Sequence, residues 1–199
     1  MRWGGYTSTI THNMSKDHQE TFYLLQDEIY RLFLSAYAYQ NKLENFENRI
    51  KDKSREFVLE EVTSLRLISN QLILQICRLD DRGSGKWTFH ELKKEIFSKP
   101  GDESHKKAIN KKLKQFRSDI NDLKVKHRNK YIAHRYSDDY PEMFEIPDLR
   151  SDFLPVIEDA VHIFEMLWGD EVSFGFKLGS LEGIIDFKEK LGIKKLEDV

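Results

Sequence analysis

An all-α fold, an antiparallel bundle of five to six helices, is the class this sequence predicts. Three observations carry it. No Gly and no Pro occurs between Tyr6 and Arg82. Apolar residues recur at steps of three and four in each long segment, and no stretch alternates as a half-buried strand would. The 199 residues include only 4 Pro and 10 Gly, with 39% hydrophobic and 33% charged residues, a mixture that suits a well-solvated helical protein. That length is enough for one core and does not require two. Residues 1–199 therefore read as a single domain, its core over about 16–170 and its last part, 171–199, a C-terminal extension.

The first helix is expected from about Lys16 to Asn48, with Leu25, Ile29, Leu32, Phe33 and Ala36 at helical spacing. Polar "ENRIKDKS" turns the chain. The second begins near Ser54 and carries Val58, Val62, Leu65, Leu72, Ile76 and Leu79. "DDRGSGKWT" breaks it, and Thr88 with Glu91 three residues later forms a capping box for a short helix to about Phe97. After "SKPGDES" a fourth helix spans about 103–136. A fifth runs from about Ser151 to Trp168, with Pro155 tolerable only in its first turn and Gly169 closing it. Phe174, Phe176, Leu181, Ile184, Ile185 and Phe187 suggest a sixth, shorter helix.

Composition excludes several classes. No apolar run approaches the roughly 18 residues that mark a membrane span. The first 20 residues have no apolar stretch of a secretory signal, so a cytoplasmic location is expected. Cys77 is the single cysteine, which rules out an internal disulfide or a cysteine-based zinc cluster, and its setting in "LILQICRL" reads as core. The net charge is only −2, yet charge is unevenly spread. Residues 106–135 hold 11 Lys and Arg against 2 Asp, a net of +9, whereas 138–199 hold 6 against 16 acids, a net of −10. Such asymmetry fits one basic working surface, and equally a solvated helix face balanced by an acidic neighbour.

The fourth helix carries the chemistry. Ile109, Leu113, Phe116, Ile120 and Leu123 form one apolar stripe, and the same stepping continues to His127, Tyr131 and His134. Polar rings on a packing face are costly unless hydrogen-bonded or useful. A histidine near its ordinary pKa can take a proton from an RNA 2′-hydroxyl or give one to a leaving oxygen. A guanidinium offers a planar fork to a phosphate. Arg128 lies roughly 120° around the helix from His134, so two copies of the helix facing each other would bring the pairs into one cleft.

The segment "RNKYIAH", with Arg128, the polar Asn129 and then His134, resembles the signature of the HEPN superfamily. The layout before it, "ICRLDDRGSGKWTFHELKKEI", is similar to the AbiU-type branch of abortive-infection proteins, and the resemblance covers roughly residues 20–170. It implies a HEPN-like bundle acting as a homodimeric, metal-independent endoribonuclease, a toxin or phage-defence effector, with a cognate antitoxin as a further partner. Arg128 and His134 would be catalytic and Asn129 would orient or bind phosphate. Lys124, Lys126, His127, Lys130, Tyr131 and Arg135 are the expected RNA-binding residues. In one HEPN branch a tyrosine placed like Tyr136 receives AMP from a nucleotidyltransferase antitoxin; a tyrosine packed at the helix end is the alternative. A non-catalytic HEPN-like module that binds RNA or protein, and a plain helical scaffold, remain open beside the enzyme.

No cofactor and no metal is expected. "DDRGSGKWTFHE" can be laid on a calcium loop from Asp80, but Arg82 would fall at its third ligand position, and the capping box accounts for Thr88 and Glu91. "GSGK" lacks the flanking residues of a phosphate loop. The aromatic residues read as bundle core rather than base-stacking platforms.

Overall fold

The computed structural model describes residues 16–83, 87–98, 100–121, 123–125, 147–177 and 183–194. Helix α1 spans Lys16–Glu44 and α3 spans Arg55–Leu79, joined by the short α2, Phe46–Ile50. Helices α4 (Phe89–Phe97) and α5 (Glu103–Asp119) follow. A π-helical turn, Leu149–Phe153, leads into α6, Leu154–Trp168. Strands β1 (Gly175–Phe176) and β2 (Ile185–Asp186) and helix α7 (Phe187–Leu191) complete the described chain. The described part is predominantly helical.

Side-chain pairs fix the helix directions. Glu28 with Arg78 and Lys42 with Glu61 make α1 and α3 antiparallel. His105 bonded to the Met166 carbonyl and Lys112 paired with Asp159 do the same for α5 and α6. Between these pairs runs one core. Leu25, Ile29, Leu32, Phe33 and Ala36 are all buried, as their spacing predicts, and so are Val62, Leu65, Leu72, Ile76, Cys77 and Leu79. Val58 is only half-buried. Phe22 of α1 stacks on Trp168 of α6, their ring centroids 3.6 Å apart.

The capping box is half made, because the Glu91 carboxylate pairs with Lys94. Ser54 accepts from the Phe57 amide and Thr88 from the Glu91 amide, each satisfying a first-turn donor. Gly169 closes α6 at φ 84°, the left-handed conformation that a Cβ disfavours.

The fourth helix, expected to about 136, ends as an α-helix at Asp119, and three other boundaries also differ from the sequence reading. The first helix stops at Glu44 because the Asn45 side chain donates to the Asn41 carbonyl, the acceptor that a continuing helix would use. The fifth begins at Leu154 rather than Ser151: Pro155 has no N–H for the Ser151 carbonyl, and the preceding turn widens to a π-helix. The tail is not simply a sixth helix. Gly175 pairs with Asp186 and Phe176 with Ile185 in a two-stranded antiparallel ladder, and only five residues of helix follow. A Cβ on Gly175 would lie 2.8 Å from Ile184 Cγ2, so the close approach needs glycine. Phe174 and Phe187 then pack on Phe33, and the buried Lys188 ammonium joins Glu165, so this tail closes the core.

Candidate functional site

The basic segment is built on α5. Its apolar stripe faces inward: Ile109, Leu113, Phe116 and Ile120 are buried, and Phe116 meets the Phe89 ring edge-on at 5.5 Å. A dimer seam along this stripe is therefore not available between Ile109 and Ile120. From Ile109 to Ile120 the stripe is spent on the protomer's own core. Beyond Ile120 the Lys124 amide still bonds the Ile120 carbonyl at 2.9 Å, and residues 123–125 are π-helical.

A buried carboxylate fixes this approach. Asp80, the C-cap of α3, is 4% exposed. Arg117 grips it in a two-point fork, Nη2 to Oδ1 at 2.7 Å and Nε to Oδ2 at 3.0 Å, while Lys124 Nζ reaches Oδ2 at 2.7 Å. Burial alone would raise the Asp80 pKa; hydrogen bonds and charge from Arg117 and Lys124 overrule it and hold the pKa below the usual carboxylate value. The Asp80 side chain at the base of the imagined calcium loop is thus engaged by two cations. Sequence reasoning missed this cluster. One signal was available: an acid at a helix C-terminus opposes the macrodipole, which asks for a cationic partner.

On the far side of the basic segment, Tyr39 donates from its buried hydroxyl to the Pro147 carbonyl at 2.6 Å. Burial, with Asp152 and Asp148 nearby, pushes its phenol pKa up. Asp148 caps the next turn through the Ser151 amide at 2.9 Å, and that bond lowers its own pKa. Glu28, which pairs with Arg78 two residues before Asp80, and Tyr39 are eleven residues apart on α1, about 16 Å of helix, so the two anchorages sit at different levels of the bundle.

Arg128, His134, Asn129, Lys126, His127, Lys130, Tyr131, Arg135 and Tyr136 all lie outside the described residues. Lys124 alone of the expected site is placed, and its ammonium is turned to Asp80. The described histidines do other work. His162 is buried, with Nε2 3.1 Å from the Lys194 carbonyl, and His105 Nε2 lies 2.9 Å from that of Met166. His90 has its pKa lowered, chiefly by burial. Among the described residues no group of His, Cys, Asp or Glu is gathered to hold a metal ion, and no helix is long and apolar enough to cross a membrane.

No family model, curated protein or solved structure matches this chain.

Proposed function

We propose that this protein is a HEPN-type endoribonuclease that works as a homodimer, with Arg128 and His134 as the reacting pair. The observation that supports it is the spacing in "RNKYIAH", a motif that begins three residues after Val125, the last described residue of the segment that Asp80 anchors through Lys124. His134 takes the proton from a 2′-hydroxyl; the 2′-oxygen bonds to phosphorus as the bond from phosphorus to the 5′-oxygen breaks, and that oxygen receives a proton. Arg128 meets the charge that grows on the phosphoryl oxygens, and Asn129 orients the same group. Lys126, Lys130 and Arg135 add phosphate contacts, with His127 and Tyr131 beside them. Since Ile109, Leu113, Phe116 and Ile120 are buried within one protomer, the dimer contacts fall to other parts of the surface. A toxin or defence role would pair the protein with an antitoxin, and Tyr136 is the residue such a partner would modify.

A HEPN-like RNA-binding module without cleavage is the second reading, favoured by the exposed lysines of α5, which hold RNA without chemistry. The test separates the two. Wild type should cut RNA in the presence of EDTA and leave 2′,3′-cyclic phosphate or 3′-phosphate ends. His134→Ala should lower the rate by about 10²–10⁴-fold with its melting temperature unchanged. His127→Ala should cost less activity, and Arg128→Lys should be damaging although charge is retained. A stability loss in His134→Ala with no cleavage to lose would sink the enzyme assignment.

A further inference from the structure

The cations of α5 divide into two sets. Lys106 pairs with Glu103 and Lys112 with Asp159, and Arg117 joins Asp80. Lys107, Lys111 and Lys114 are exposed, and among the described residues no carboxylate lies within ion-pair distance of them. At 100° per residue these three fall within about 60° of arc, on the side opposite the buried stripe, and they span about 10 Å of helix axis. Asn110 and Ser118 share that outward face and are also exposed. It runs along α5 toward residues 123–125, which precede the Arg128–His134 motif in the chain.

A protein partner would need something else here. Interface cores favour aromatic and other apolar anchors and are depleted in lysine. None of the exposed large hydrophobic side chains lies on α5. A phosphodiester backbone asks only for regularly spaced cations and reads no apolar anchor. With a net charge of −2 the whole chain offers no general attraction to a polyanion, so a local stripe must supply it.

We propose that Lys107, Lys111 and Lys114 form a sequence-independent track for an RNA backbone, outside the reacting segment and delivering substrate to it. The choice of RNA as polyanion rests on the ribonuclease reading; the track itself rests on α5. The probe is a labelled 2′-O-methyl oligoribonucleotide of about 20 nucleotides, which cannot be cut because its nucleophilic hydroxyl is blocked, titrated from 50 to 200 mM salt. Replacing all three lysines by Gln should reduce the slope of log affinity against log salt by about 2, at ~0.7 per lost contact. Across that salt range the wild type should then lose about twentyfold more affinity than the variant. Lys94→Gln, which removes a cation already paired with Glu91, is the control and should leave the slope unchanged. An unchanged slope in a folded triple variant overturns the track, as does an equal loss in the control or a wild type that binds no RNA. RNA cut by the triple variant at wild-type KM sinks the track and leaves the ribonuclease standing. A lost slope in a protein that cuts no RNA does the reverse.

Discussion

Glu61 in the second turn of α3 and Asp80 at its C-cap are both buried and each hold two cations, yet they do different jobs. The partners of Glu61, Lys42 and Arg49, are 19 and 12 residues away in sequence. Those of Asp80 are 37 and 44 residues away. Glu61 staples a local connection, where α1 ends and α3 begins. Asp80 joins elements that the chain itself does not hold together, and so sets where α5 and Lys124 beyond it lie. The same chemistry is a turn brace in one place and a register lock in the other.

The largest effect is expected at the lock. Asp80→Asn leaves two cations facing a neutral amide, and removing one partner of a buried charge set should cost about 3 kcal/mol, read as a fall in denaturant midpoint. Under the ribonuclease reading kcat should fall further than the folded fraction does. Wild-type kcat per folded molecule would break the distinction from Glu61.

Glu61→Gln should cost about 1–2 kcal/mol at pH 7, less than at Asp80 because its partner Arg49 is half exposed, and leave any cleavage per folded molecule intact. Hydrogen bonds from Arg49 and then Lys42 hold Glu61 at a pKa of about 2, below its usual 4.5. A carboxylate depressed in the folded state contributes stability above its unfolded pKa and loses it as pH falls through the folded value. Denaturant titrations should therefore show wild type weakening from about pH 4.5 towards pH 2, with the Gln variant flatter over that window. Equal slopes would mean that the brace is not formed in solution.

The smallest change is Lys124→Met. Arg117 keeps its two-point grip on Asp80, so the loss should stay below about 1 kcal/mol. A loss exceeding that of Arg117→Met would show that Lys124, not the fork, is the principal partner.

Local rules were legible in the sequence where local physics decides. Ser54, Thr88 and Gly169 act within one turn of themselves, and the Ile109–Ile120 stripe follows from spacing alone. What escaped depends on contacts from afar or on side-chain competition. Asn45 ends α1 by claiming a carbonyl, and nothing in its own propensity demanded that. Phe174 and Phe176 step by two, a strand signal too short to outweigh the apolar residues after them. Asp80 reads as a loop acid until Arg117 and Lys124 are brought beside it. The proposed reacting pair is the opposite case: Arg128 and His134 are visible only as a sequence motif, outside the described residues.

Cys77 has a use unrelated to any of these roles. It is the chain's single thiol, 0% exposed, and it sits three residues before Asp80 on α3. A thiol reagent can reach it only when the core opens, so labelling rates clock that opening. The chain thereby carries a built-in stopwatch next to its lock, one that reads in the unmodified protein how often α3 and its neighbours part.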